Sequence, residues 1–145
     1  EYCKEKGVEV FYVTSRDQGP NTYEYAMGNL KALGLPYADE AHLTVLTDSS
    51  NKEPRQQELA QTYTPVVYLG DNLNDFQRKY YLKGDVPGRI AAMEADREEF
   101  GRRFVMFPNP TDGHWMAAIF GESEPADTPE ARARLLEAAT TVLKR

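Results

Sequence analysis

The chain has 145 residues, 41% of them hydrophobic and 11% aromatic, which is enough for one domain with a buried core and excludes a disordered chain. Its formal net charge is −6 and no segment is strongly basic, which argues against a nucleic-acid polymer as partner. The single cysteine, Cys3, excludes an intramolecular disulfide and a cysteine-based zinc site. No apolar run approaches the roughly 20 residues of a membrane helix.

The first half of the chain predicts alternating helices and strands. The segment EYCKEKG is typical of the last turns of a helix, and the β-branched and aromatic run at residues 8–13 predicts a buried strand. Apolar residues at helical spacing predict a helix over residues 23–33 that stops at Gly34. A second strand is expected at residues 42–47, followed by a helix with Pro54 in its first turn.

The second half continues this alternation. Residues 66–69 predict a strand with both faces buried, which ends at Gly70. A helix at residues 87–100 and a strand at residues 104–107 are expected next. In the final helix, Thr128 is the expected N-cap, Pro129 occupies the first position, and the apolar stripe consists of Leu135, Leu136, Ala139, Val142 and Leu143. This order predicts an α/β fold with a mainly parallel sheet.

Polar residues follow three of the predicted strands at their carboxyl ends. Because the carboxyl ends of parallel strands meet at one edge of a sheet, we expect these residues to line a ligand site. A hydroxyl, an ammonium group and two carboxylates suit phosphoryl chemistry with Mg²⁺, which prefers oxygen ligands. The residues are Thr14, Ser15 and Arg16 after the first strand, Lys52 beyond the second, and Asp71 and Asp75 after the third.

Each of these residues also has a structural interpretation. Thr14 is an ordinary strand-end threonine in that interpretation, and Lys52 is a solvated surface lysine. Asp71 and Asp75 would then form a turn and cap a helix. The segment DNLND does not match a calcium-binding loop, because Leu73 occupies a ligand position and Phe76 replaces the required glycine.

Four segments in order resemble a known family. VFYVTSR, SNKEPR and LGDNLNDF resemble the second, third and fourth motifs of the haloacid dehalogenase-like (HAD) phosphatases. With FGRRFVMFPNPTDGHW after them, they resemble the class C acid phosphatases, the bacterial 5′-nucleotidase lipoprotein family. The likeness extends from about Lys6 to Gly121. It implies a HAD-like Rossmannoid three-layer sandwich with a mainly parallel sheet.

The resemblance also implies an activity, which is Mg²⁺-dependent hydrolysis of phosphomonoesters, including nucleoside 5′-monophosphates, through an aspartyl-phosphate. By the matching motifs, Thr14 would hydrogen-bond the phosphate and Lys52 would stabilise the charged intermediate. Asp71 would ligate Mg²⁺, and Asp75 would support the metal site. The expected substrate-binding residues are Ser15, Arg16, Asn109, His114 and Trp115, whereas His42 is expected to be structural.

The departures from the family pattern concern its first motif. That motif is a strand ending in Asp-x-Asp, which supplies the nucleophile, and the sequence contains no Asp-x-Asp. We therefore expect residues 1–145 to be the C-terminal part of a catalytic core, inactive alone, with the central strand and the nucleophile upstream. Ser15 and Met116 stand where many relatives have Asn and Glu, which leaves substrate choice open.

Two other functions remain open at this stage. A non-catalytic relative could bind a phosphorylated ligand or a protein at the cell surface, and a phosphotransferase of the same superfamily is a weaker alternative. Retention of the hydroxyl, the lysine and both acids favours the phosphatase. The resemblance implies a periplasmic or cell-surface location, with membrane attachment only through a lipid anchor upstream of Glu1.

Overall fold

The structure is a computed structural model that describes residues 1–109 and 113–140. The predicted stripe residues Val142 and Leu143 lie outside this part of the chain. The chain divides into two compact units, Glu1–Thr62 and Tyr63–Arg145. Across the described ranges, no helix combines the length and the apolar character needed to span a membrane.

The first unit alternates helices and strands as expected. Its strands pair in parallel, with Tyr12 opposite Leu43 and Ser15 opposite Leu46. Both strands therefore end at the same edge of this small sheet. The elements are α1 (Tyr2–Glu5), β1 (Tyr12–Ser15), α2 (Thr22–Ala32), β2 (Leu43–Leu46) and α3 (Glu53–Ala60).

The core of the first unit lies between α2 and β2. Ala26 and Met27 on α2 and Leu43 on β2 are buried together, which matches the apolar spacing of the helix. The helix ends before Gly34, whose φ of 62° is unfavourable for other residues. The predicted helix and its glycine stop are confirmed.

The second unit contains the other parallel pair. Tyr68 lies opposite Phe104 and Gly70 opposite Met106. Short 3₁₀ turns at Leu73–Asp75, Arg78–Tyr80 and Arg97–Glu99 connect the longer elements. Those elements are β3 (Tyr68–Gly70), α4 (Val86–Ala95), β4 (Phe104–Met106), α5 (His114–Phe120) and α6 (Pro129–Thr140). Thr128 caps α6 as predicted, because its Oγ1 accepts the N–H of Ala131 at 3.1 Å.

Aromatic side chains form the core of the second unit. The rings of Phe76 and Phe104 stack with their centroids 5.0 Å apart, and Phe100 packs edge-on against both. Tyr80 is fully buried, and its hydroxyl donates a hydrogen bond to Asp96. Asp96 also forms an ion pair with Lys79. Burial raises the pKa of Tyr80, and the bond to Asp96 raises it further.

Some sequence predictions are wrong in extent. Residues 66–69 do not form a strand with both faces buried: β3 starts at Tyr68, and Val66, Val67 and Leu69 are 58%, 43% and 60% exposed. Among the described residues of the second unit, the sheet has two strands, which leaves these side chains uncovered. The helix predicted to reach residue 100 ends at Ala95, with a 3₁₀ turn after it. The helix α5 was not predicted.

Candidate functional site

Asp71 lies directly after β3, at the carboxyl end of the second unit's sheet. Its side chain is exposed, and side-chain amides hold both carboxylate oxygens. Asn72 Nδ2 donates to Oδ1 at 3.0 Å, and Asn109 Nδ2 donates to Oδ2 at 2.9 Å. Because each carboxylate oxygen has two lone pairs, Asp71 can accept these bonds and still coordinate a cation. The arrangement fixes the direction in which the carboxylate faces solvent.

Asp75 holds the turn that follows Asp71. Its Oδ2 accepts the backbone N–H groups of Asp71 at 3.1 Å and of Asn72 at 3.0 Å. Gly70 permits this close approach, since a Cβ there would lie 2.6 Å from the Cβ of Asp75. One carboxylate oxygen of Asp75 is thus bound to the backbone of the turn. This is the turn-forming and capping role that Asp75 would have if it were purely structural.

Residues near the start of α5 surround the same turn. Asn74 Nδ2 lies 3.0 Å from Nδ1 of His114, and the ring of Tyr81 meets the His114 ring edge-on at 4.9 Å. Gly113 precedes α5 with a φ of 134°, and any side chain there would overlap the amide of Asn72. The second unit therefore brings Asp71, Asp75, Asn109 and His114 around one turn. Trp115, the next residue of α5, lines an apolar cavity.

The first unit gathers the other predicted residues at its own sheet edge. The half-buried Thr14 accepts a hydrogen bond from Arg16 Nε at 3.2 Å. Ser15 Oγ donates to the carbonyl of Ser49 at 3.1 Å. Ser15 therefore connects the end of β1 to the segment between β2 and α3.

Lys52 lies in that segment, immediately before α3. Two short-range bonds shape the chain around it: Ser49 Oγ accepts the N–H of Asn51 at 3.0 Å, and Asn51 Oδ1 accepts the N–H of Glu53 at 3.2 Å. The carbonyl of Lys52 accepts the N–H of Gln56 at 3.1 Å, which starts the helix. Lys52 is half-buried, so its position is defined better than that of a free surface lysine.

The predicted metal site fits a hydrated Mg²⁺ better than a metal enclosed by protein ligands. Throughout residues 1–109 and 113–140, no group of three or more His, Cys, Asp or Glu side chains could hold a metal ion. Mg²⁺ usually keeps several waters and binds one or two carboxylates together with substrate oxygens. The exposed carboxylate of Asp71 would serve as one such ligand. Asp75 holds the turn that presents Asp71, because it accepts the backbone N–H groups of Asp71 and Asn72.

Sequence reasoning missed the asparagines of this turn. Asn72 and Asn74 are buried, and their amides orient Asp71 and His114. Their position in GDNLND, beside the acids, was the available signal. Buried asparagines are uncommon unless their amides are hydrogen-bonded.

His42 belongs to the first unit and contacts two carboxylates of that unit. Its Nδ1 is 2.6 Å from Asp39 Oδ1 and its Nε2 is 3.1 Å from Glu9 Oε2. The hydrogen bond to Asp39 is the main cause of the raised pKa of His42, and it lowers the pKa of Asp39. These contacts agree with the structural role expected for His42.

Comparison with known proteins places this arrangement in a family. The class C acid phosphatase from Bacillus anthracis superimposes with a TM-score of 0.81 at 29% sequence identity, over 94% of this chain and 56% of that one. The same enzyme with tungstate bound gives a TM-score of 0.80, again at 29% identity over 94% and 56% of the two chains. The chain thus spans little more than half the length of these relatives.

The fold expected from the motifs is confirmed by this likeness, since the short parallel strands and their helices match the HAD-like acid phosphatase fold. Residues 1–115 match the sequence family described as HAD superfamily, subfamily IIIB (acid phosphatase). The chain belongs to the subfamily IIIB acid phosphatases of the HAD superfamily.

Proposed function

We propose that this chain forms part of the active site of a Mg²⁺-dependent phosphatase that hydrolyses phosphomonoesters, with nucleoside 5′-monophosphates as the favoured substrates. The observation that carries the proposal is the exposed Asp71 carboxylate, oriented by two side-chain amides at the end of β3. Its place in the family's motif order supports a metal-binding role for that carboxylate. The class C relative binds tungstate, an oxyanion like phosphate.

The catalytic residues would be divided between this chain and an upstream segment that supplies the nucleophile. The nucleophile would be an aspartate from an Asp-x-Asp motif upstream, and its attack on phosphorus would form an aspartyl-phosphate that water then hydrolyses. The sequence contains no Asp-x-Asp. We therefore propose that residues 1–145 are the C-terminal part of the catalytic core and are inactive alone.

Thr14 and Lys52 would bind the phosphoryl group. The Thr14 hydroxyl accepts a hydrogen bond from Arg16, and a hydroxyl that accepts one bond still has its own hydrogen to donate to a phosphate oxygen. The ammonium group of Lys52 would neutralise charge that develops on the phosphoryl oxygens.

Asp71 would hold Mg²⁺, and Asp75 would keep the turn in the shape that presents Asp71. When bound, the metal would neutralise phosphate charge and orient the ester for in-line displacement. Asp75 contributes by accepting two backbone N–H groups, so its effect on the metal is indirect.

The remaining predicted residues would set substrate preference. Arg16 is exposed beside Thr14 and can contact a phosphate or the ester's leaving group. Asn109 and His114 adjoin the turn around Asp71, and Trp115 could stack on a nucleobase. Ser15 would act mainly by fixing the segment before Lys52.

The proposed setting of the enzyme is the periplasm or cell surface, with a lipid anchor upstream as the means of membrane attachment. Family likeness alone supports this location. The alternative function is a non-catalytic relative that binds a phosphorylated ligand or a protein, and it is favoured if the intact protein binds phosphate analogues without turning over esters.

The deciding experiment measures hydrolysis of p-nitrophenyl phosphate and AMP by the longest product of the gene, with Mg²⁺ varied from zero to saturation. We expect Mg²⁺-dependent turnover that Asp71→Asn abolishes. Asp127→Asn is the matched control, because this exposed acid forms an ion pair with Arg132 at the surface of the second unit, and it should leave turnover unchanged. Full activity of Asp71→Asn would contradict the metal role, and phosphate binding without turnover would favour the non-catalytic alternative.

A further inference from the structure

Arg89 on α4 is a largely buried cation without a counterion among residues 1–109 and 113–140. Its side chain is 8% exposed, and its Nε is buried with no hydrogen-bond partner within residues 1–109 and 113–140. Burial lowers the pKa of the Arg89 guanidinium, yet arginine stays charged in proteins. A buried charge that lacks a partner is costly. A group that pairs with it on binding would therefore relieve a real energetic cost.

The acids at the two ends of α4 are already engaged. Asp85 caps the helix, and its Oδ1 accepts the N–H of Gly88 at 2.8 Å. Asp96 pairs with Lys79 and accepts a hydrogen bond from Tyr80. No ion pair involving Arg89 occurs in the part of the chain that the structure describes. The chemistry of Arg89 thus points to an anion from outside this set.

Arg89 lines an apolar cavity of about 170 Å³. The other walls come from the turn after β3 and from α4, α5 and α6, and they include Leu73, Ile90, Met93, Trp115 and Ile119. A dry cavity of roughly 150 Å³ is known to accommodate benzene. This cavity therefore has room for one aromatic ring or a short alkyl chain, with a single charged group in its wall.

We propose that this cavity binds a small carboxylate with an apolar body, of the size of benzoate, whose carboxylate pairs with the guanidinium of Arg89. An arginine can grip a carboxylate side-on through two nitrogen donors, and no carboxylate of residues 1–109 and 113–140 forms an ion pair with Arg89. A monoanion matches the single positive charge, whereas a phosphate dianion would leave excess charge buried. The cavity shares Trp115 with the proposed substrate-binding residues, but Arg89 has no assigned part in phosphoester hydrolysis.

The test uses the fluorescence of Trp115, which is the only tryptophan of the sequence and lines the cavity. The full chain is titrated with benzoate, with the neutral isostere benzamide, and with phenylphosphonate. Hydrogen bonds to a charged group contribute about one to two powers of ten in affinity. We expect benzoate to bind at least about tenfold more tightly than either of the other two.

Variants then assign the preference to Arg89. Arg89→Met keeps an apolar side chain of similar length and should abolish the difference between benzoate and benzamide, while Arg89→Lys should retain part of it. Arg102→Met is the matched control, because Arg102 is an exposed arginine of the same unit, and it should bind benzoate like the wild type. Circular dichroism checks that each variant folds.

The ligand comparison on the wild-type chain needs no variant and decides the question even if Arg89→Met fails to fold. Absence of benzoate binding, equal affinity for benzoate and benzamide, or tighter binding of phenylphosphonate would each overturn the proposal. A second reporter fixes the location: the methyl resonance of Met93, a cavity-lining residue, should shift with benzoate. A fluorescence change without that shift would overturn the assignment to this cavity.

Discussion

Asp75→Asn separates the structural role of Asp75 from the metal role of Asp71. The substitution is nearly isosteric and retains one carbonyl oxygen, but it removes the negative charge that accepts two backbone N–H groups. The donors belong to Asp71 and Asn72, and Asn72 is buried. Weakening these bonds should therefore loosen the turn that presents Asp71.

The expected loss follows from the two hydrogen bonds. A hydrogen bond to a charged group contributes roughly 1.5–3 kcal/mol, against roughly 0.5–1.5 kcal/mol for a neutral one. Each bond should lose about 1 kcal/mol, so Asp75→Asn should lower the free energy of unfolding by about 2 kcal/mol. With a urea slope of about 2 kcal/mol per M, the unfolding midpoint should fall by about 1 M.

The assay is urea unfolding of the chain followed by Trp115 fluorescence, which reports on the second unit. Asp127→Asn serves as the matched control: Asp127 is exposed and forms a surface ion pair with Arg132, and most exposed substitutions change stability by no more than about 0.5 kcal/mol. In the intact protein, Asp71→Asn should abolish turnover. The reasoning is refuted if Asp75→Asn shifts the midpoint no more than Asp127→Asn does.

Three further predictions concern stability. The pKa of His42 is raised, so the stability that its protonated ring contributes is complete below the ordinary pKa of 6.5 and is lost as the pH rises through the higher folded pKa. The lowered pKa of Asp39 gives a contribution to stability that is lost only in acid. The melting temperature should therefore fall as the pH rises above 6.5, and His42→Gln should flatten that profile. Tyr80→Phe removes the hydroxyl that donates to Asp96 and should lower the free energy of unfolding by about 1–2 kcal/mol, measured in urea; an unchanged midpoint would mean that the bond adds nothing. Gly113→Ala should destabilise the chain more than either, because an L residue at a φ of 134° is strained and its Cβ would overlap a neighbouring asparagine; a melting temperature equal to that of the wild type would contradict the described turn.

The alternation of elements was predictable because each signal is local. The Gly34 stop, the Pro54 helix start and the Thr128 cap act within one turn of chain, and the structure confirms them. The parallel pairing follows from the strand–helix–strand order, since a parallel strand needs a long crossover. Motif order likewise carried the family assignment.

The missed features depend on contacts distant in sequence. Burial of residues 66–69 could not be judged from their apolar character, since burial requires neighbours on both faces. The amide of Asn109 reaches Asp71 across 38 positions, and no sequence spacing signals that contact. Arg89 looks like a surface residue in GRIAAM until α5 and α6 are placed around it. In each case the packing between elements decided the outcome.

The exposed apolar residues of β3 have a consequence for handling the chain. Each strand of a two-stranded sheet has one edge outside its ladder, and that edge offers backbone N–H and C=O groups to any extended segment. With Val66, Val67 and Leu69 exposed beside it, β3 is a template onto which another polypeptide can add a strand. At high concentration the chain itself can supply that polypeptide, so its solubility limit is expected to be set here, and a lysine in place of Leu69 should raise it.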